Sequence, residues 1–407
     1  MKKIYLEFFR GVATIFIIGW HMAFLAPTGH PTHLTAYWGT DALIIFFMLS
    51  GLVINLSESR RPKTFKEFIG NRFGRIYPQF VAGLLLAFLA LYITRSAFPS
   101  VKDTIGNFLM VSTMKDYMGY ISTSIQSNLP VWSLSFEMAF YVLFAFTIGR
   151  RQSKIIFGWL LLSLAAIPLF FIHTQKDALT HIIAIFAFSA TWLIGYYVFK
   201  YHSKFYIEKY AVLFSLGILP LISRMQFSSN FYDPLKYFIF AIFAAPFLRY
   251  CLQLPPSGKK IKMIYLVPVH VALVICALTI RYMPLKNTLT YSTLPYVYMG
   301  VLYLVEKLNL KERLKVFMRD AGAITGKYSY SLYISHYTVV FTLSKLVHQV
   351  WLYALLCLPL IAMLAYMLEN WVQPAVNRLL KPEMRPDASL KGRPVRPQFI
   401  NRPSLEH

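Results

Sequence analysis

The sequence predicts an all-α polytopic membrane protein with about 10–12 transmembrane helices, and three observations carry that prediction. Of 407 residues, 57% are hydrophobic and only 14% are charged, so polar side chains are too few to cover a soluble globule of this size. Apolar runs of roughly 17 to 22 residues recur along the whole chain, near the length an α-helix needs to cross the hydrocarbon core. Their continuity excludes a β-barrel, whose strands alternate between lipid and lumen.

The expected spans are residues 4–25, 37–57, 76–94, 130–148, 155–173, 181–199, 207–223, 235–251, 263–282, 288–306, 329–347 and 350–372. The run at 207–223 is the weakest, because it is short and contains Pro220. No small-residue cleavage site follows the first run, which carries Arg10, so it is expected to be a retained helix and not a signal peptide.

A net charge of +24 suggests nucleic acid only until the charges are placed: the Lys and Arg residues sit in short loops between apolar runs. With the N-terminus in the cytoplasm most of them fall on the inner side, so the positive-inside rule puts both termini there. The strongest inner signals are Arg60, Arg61, Lys63, Lys66, Arg72 and Arg75, and the segment from Lys307 to Lys327. Residues 1–375 read as one membrane unit and 376–407 as a basic cytoplasmic tail, whose Pro- and Arg-rich composition predicts disorder. Cys251, Cys276 and Cys357 have no metal-ligand spacing, and no Cys or carboxylate completes a set with His30 and His33, so no metal site is expected.

Polar residues inside apolar runs are the candidates for chemistry. Arg10 and His21 share the first span, about 16 Å of rise and close to three whole turns apart, so both project from one helical face. A buried Arg must be paired, snorkel or line a wet cavity; Glu7, three residues earlier, offers a partner near the inner interface. Asp41 lies about one turn into the second span, at nearly the depth of His21. A carboxylate there suits orienting the imidazole as a general base, and suits capping the helix start as well.

Glu137 follows Trp132, Ser133, Leu134 and Ser135 in the fourth span, in the outer half of the bilayer. It is placed to steer an acceptor hydroxyl or to bond a neighbouring helix. Arg72 and Arg75 stand at the inner mouth of the third span, where forked guanidinium groups match a phosphate, or serve topology alone. His336, within the polar and aromatic stretch from Tyr328, is expected in the inner half, either touching the donor or packing between helices.

These blocks, in order, resemble the membrane acyltransferase 3 family, which includes the O-acetyltransferases of bacterial surface polysaccharides. The resemblance rests on Leu6 to Ala13 followed by Trp20 and His21, and on Gly39 and Asp41 with Phe46 to Gly51. It rests further on Arg72, Arg75, Ile76, Tyr77 and Pro78, on Trp132 to Glu137 with Phe140 and Tyr141, and on Gly326 to His336. Glu7 stands where an Asp is usual, Phe8 and Phe9 where Gly-Leu is usual, Met138 where a second Glu often stands, and Glu369 lies farther from Pro374 than in the family pattern.

The resemblance implies an O-acyltransferase of the bacterial inner membrane that takes an acyl group, by family frequency acetyl, from cytoplasmic acyl-CoA to a hydroxyl of a glycan or lipid-linked sugar. It makes Arg10 and His21 the essential pair and places Arg72 and Arg75 nearer the donor. On that reading His21, Asp41 and Glu137 are catalytic, Arg10, Arg72, Arg75, Trp132, Ser133, Ser135 and His336 bind substrates, and Ser50, Ser133 and Ser135 are possible acyl carriers. Two rivals stand beside it. Twelve spans, with Gly70 to Arg75 resembling a short loop motif, is also the plan of a major-facilitator transporter, against which the short loop at 200–206 and the lack of a repeat weigh. A lipid-binding scaffold using the basic loops leaves the polar blocks without a purpose.

Overall fold

The computed structural model describes residues 4–27, 38–149, 152–225, 227–228, 232–252, 254, 258–279 and 285–380. His30, His33 and the tail beyond 380 lie outside the described residues.

The chain opens with helices α1 (Ile4–Phe24), α2 (Trp38–Arg60) and α3 (Phe65–Ile93). A connection holding the short α4 (Val101–Phe108) and α5 (Lys115–Met118) leads to α6 (Trp132–Ala145), α7 (Gln152–Ile172) and α8 (Ala178–Lys200). Then follow α9 (Lys209–Arg224), α10 (Pro234–Cys251), α11 (Val267–Thr279) and α12 (Leu285–Lys307). The last are α13 (Lys311–Leu346), α14 (Val350–Met367), a widened π turn at Leu368–Val372, and α15 (Gln373–Leu380).

Every expected span falls on a helix. Among the described residues, six helical stretches are long and apolar enough to cross a membrane by themselves: α1, α2, α3, α7, α8 and the run from Val350 to Leu379. The protein is an α-helical polytopic membrane protein. Its bundle is layered: α2 has 72% of its apolar window buried and α8 61%, whereas the window from Val350 has 22%. The first two are central, and the last presents Trp351, Leu355 and Leu358 outward, as a lipid-facing helix must.

Two boundaries differ from the sequence reading, each for a local reason. Helix α3 begins at Phe65 and not at 76, because Thr64 and Glu67 form a reciprocal capping box that satisfies the first free N–H groups. Arg72 and Arg75 therefore sit inside a helix. Helix α13 begins at Lys311 and not at 329, and its early turns are polar and exposed, so hydropathy misses them.

Small residues set the closest helix contacts. Helices α1 and α13 run parallel: a Cβ added at Gly326 would lie 2.7 Å from the Cβ of Glu7, and one at Gly322 would lie 2.9 Å from the Cβ of Phe8. Gly11 abuts Thr325 in the same seam. Gly51 and Gly195 bring α2 and α8 together, each against the other helix's backbone. Close approach of this kind replaces the hydrophobic driving force that lipid does not supply.

The connection between α3 and α6 is pinned to the bundle and not free. Asp103 accepts from the Thr123 N–H at 2.7 Å, while Asn107 donates to the Thr123 carbonyl at 2.8 Å and accepts from the Ile125 N–H at 3.2 Å. Residues Ser112 and Thr113 pair in parallel with Ser122 and Thr123. Ser127 then donates to the Ala87 carbonyl and Asn128 to the Ile334 carbonyl, which seats the start of α6 against α3 and α13.

If the glycine seam sets helix spacing, Gly326→Val will force α1 and α13 apart. We expect a loss of about 1–3 kcal/mol, read as a lowered melting temperature in detergent, with Gly300→Val, where a Cβ meets nothing within 4 Å, as the harmless control.

Candidate active site

A cavity of about 260 Å³ opens beside α1 and is lined by Arg10, Arg72, Arg75, Glu7 and Glu137, with Ser50, Ser133, Tyr141, Tyr330 and Tyr333 among its other walls. Five helices contribute: α1, α2, α3, α6 and α13. The capping box that extends α3 downward is what carries Arg72 and Arg75 to the same level as Arg10.

The arginines are held without direct ion pairs among the described residues. A terminal nitrogen of Arg10 donates to the carbonyl of Gly326, and its Nε is buried without a hydrogen-bond partner among the described residues. The Arg72 guanidinium lies 5.4 Å from the centre of the Phe68 ring and 5.5 Å from that of Tyr141. None of the three forms an ion pair with a carboxylate among the described residues. The pairing of Glu7 with Arg10 that their spacing allows is not made: Glu7 packs its backbone and Cβ on Gly326 instead. Across the cavity the Tyr141 hydroxyl donates to Glu137 and lies 2.9 Å from the Ser50 hydroxyl, which accepts from the Trp192 indole N–H at 3.3 Å.

The second polar station lies farther along α1. His21 is buried, with Nδ1 3.0 Å from the Ile17 carbonyl and 3.1 Å from Nε2 of His336, whose Nδ1 is 2.7 Å from the Tyr333 carbonyl. His336 had been expected in the inner half. The parallel seam that sets Gly326 against Glu7 carries it instead to the depth of His21. Neither histidine lines the cavity around Arg10. Tyr333 stands between the stations: it lines that cavity, its hydroxyl lies 2.6 Å from Ser133 and donates to the Pro130 carbonyl at 2.9 Å, and its own carbonyl holds His336.

Asp41 is buried, but its hydrogen bond goes to the Ser223 hydroxyl and not to His21. Positive charge comes to it from Lys236, itself buried, and from Arg224. Its Oδ1 has no hydrogen-bond partner among the described residues. Trp132 packs in the core against Phe136 and Tyr232 at ring distances of 5.3 and 5.1 Å, and Ser135 is buried with its hydroxyl likewise unpartnered. Neither borders the Arg10 cavity, whereas Ser133 does.

The sequence-selected residues thus divide into three groups. Arg10, Arg72, Arg75, Glu137 and Ser133 share one cavity; His21 and His336 form a pair; Asp41 joins Ser223 and Lys236. Reading the sequence missed Tyr141, although it follows Glu137 by one helical turn, the spacing that brings side chains together. It also missed the network around Glu369, which accepts from Gln79 at 2.9 Å and from Ser331 at 2.7 Å. The π turn at Leu368–Val372 re-aims that carboxylate into the bundle, and no sequence period announces such a turn.

A family model described as an acyltransferase domain matches residues 3–369, nearly the whole membrane unit. The chain belongs to the membrane acyltransferase 3 family. No curated protein and no solved structure matches it. Membership decides between the transferase and transporter readings.

In this acyltransferase Tyr141→Phe removes the link between Glu137 and Ser50. We expect a loss of about 1–3 kcal/mol from the stranded carboxylate and hydroxyl, measured by thermal unfolding; an unchanged midpoint would show that the link contributes nothing.

Proposed function

We infer that this acyltransferase moves an acyl group, acetyl in this reading, from cytoplasmic acyl-CoA to a hydroxyl of a cell-surface glycan or glycolipid. The observation that carries the proposal is the cavity in which Arg10, Arg72 and Arg75 converge without a carboxylate partner among the described residues. Three guanidinium groups against the two carboxylates of the cavity, with no direct ion pair among the described residues, leave an excess of positive charge that suits an anion, and their donor forks fit the phosphates of coenzyme A. Basic residues concentrated on one side support placing this cavity toward the cytoplasm, with both termini there, in the inner membrane of a bacterium.

The chemistry follows from the order of the stations. The acyl thioester extends from the arginine cavity past Ser133 and Tyr333 toward His21. The acceptor hydroxyl attacks the thioester carbonyl while Nε2 of His21 takes its proton; the carbon–sulfur bond then breaks, and the proton passes to the departing thiolate. The unpartnered Oδ1 of Asp41 suits a hydrogen bond from a sugar hydroxyl. Glu137, which shares the cavity with the arginines, shapes the donor wall through Tyr141.

Arg72→Ala should weaken coenzyme A binding roughly tenfold, the scale of a hydrogen bond to a charged group, in titration calorimetry of the purified chain. Unchanged affinity would remove the phosphate role. His21→Ala should fold normally and lose transfer by about 10²–10⁴-fold. Mass spectrometry of surface glycans from wild-type and deletion cells checks donor and acceptor together, since a missing acetyl mass names both and an identical spectrum contradicts the reading.

A further inference from the structure

His21 and His336 are locked into one hydrogen-bonded unit by two backbone carbonyls. Nδ1 of His21 is 3.0 Å from the Ile17 carbonyl oxygen, and Nδ1 of His336 is 2.7 Å from that of Tyr333. A carbonyl oxygen only accepts, so in the neutral rings both Nδ1 atoms carry the proton and both Nε2 atoms carry the lone pair. On that assignment the lone pair on Nε2 of His336 faces the Nδ1–H of His21 across 3.1 Å, and this one hydrogen is shared between that lone pair and the Ile17 carbonyl. His21 donates, His336 accepts, and Nε2 of His21 is left to take a proton.

We propose that His336 is the positioning residue for His21, doing with a neutral imidazole what a carboxylate does in many hydrolases, and that Asp41 does not fill this place. The inference rests on the reading of His21 as the base. When Nε2 of His21 gains the acceptor's proton, the ring becomes cationic and its Nδ1–H bond to His336 strengthens, so the charge develops against a partner already in place. A neutral partner suits this depth, because a permanent carboxylate charge buried beside a neutral imidazole would lack compensation between turnovers. Asp41 has its compensation elsewhere, from Ser223, Lys236 and Arg224.

Titratable groups packed around His21 are few. From α13 come His336 and Tyr337, whose ring is 4.9 Å away; from α14 comes Tyr353, which is spent on the Met22 carbonyl. On α2 the acidic residue at this end is Asp41, and on α10 Lys236 accompanies it. An acceptor on Nδ1–H stabilises the imidazolium that forms as the proton is taken, so removing it raises the barrier to proton transfer.

The test uses the full chain in nanodiscs with acetyl-CoA as probe and water as acceptor, following thiol release. His336→Leu should lower kcat by roughly a hundredfold and leave KM for acetyl-CoA unchanged. His336→Gln, whose side-chain carbonyl can accept from Nδ1–H, should recover most of kcat. Should the leucine variant fail to fold, His336→Gln against the shorter His336→Asn makes the same comparison. A raised KM with kcat intact, or no recovery of kcat in His336→Gln, would overturn the proposal. Full thiol release by His21→Ala would instead remove the base itself, and so separates failure of the underlying reading from failure of the His336 assignment.

Discussion

The parallel contact between α1 and α13 is the constraint on which the rest depends. Gly11, Gly322 and Gly326 let the two helices approach to backbone distance, and in lipid such contact carries much of the association between helices. Once Glu7 is seated on Gly326, helix geometry fixes the rest of the register. The Gly326 carbonyl receives Arg10, and about three turns farther on His336 faces His21. One packing event therefore builds both polar stations, and a shift of one residue would rotate each partner out of reach.

The stations differ in electrostatic character. Arg10, Arg72 and Arg75 share a cavity with Glu7 and Glu137, held by a hydrogen bond and aromatic faces and by no direct ion pair among the described residues. At the other station two imidazoles face each other with their proton positions dictated by carbonyls. Tyr333 belongs to both, by its ring on one side and its carbonyl on the other, so the wall between the arginine cavity and the histidine pair also holds His336. Strong fixed charge at one end and a neutral, polarisable pair at the other is an arrangement suited to binding an anion in one place and moving a proton in another.

Much of this was legible in the chain. Apolar run length placed a helix at every expected run, because helix formation in lipid is decided segment by segment. The first-helix spacing of Arg10 and His21, and the clustering of Arg72 with Arg75, singled out these residues without showing what they touch. Two contacts that spacing or depth allowed are not made: Glu7 forms no direct ion pair with Arg10 among the described residues, and Asp41 accepts from Ser223 and is not bonded to His21. Both differences have one cause. Sequence spacing reports neighbours on the same helix or at the same depth, whereas azimuth, the direction in which a side chain leaves its helix, is settled by packing.

The sequence by itself determined the all-α membrane architecture and the polar residues that interrupt its apolar runs, since hydropathy and helical period are local properties. Only the tertiary structure decided that His336 lies beside His21 and that three arginines from two helices meet at one cavity, and only it turned Glu369 toward Gln79 and Ser331. These outcomes depend on a helix start hidden among polar residues, a capping box that lengthens α3 and a π turn after α14, and on glycines whose value lies in the neighbour they admit. Each is a relation between segments distant in the chain, which no window along the sequence contains.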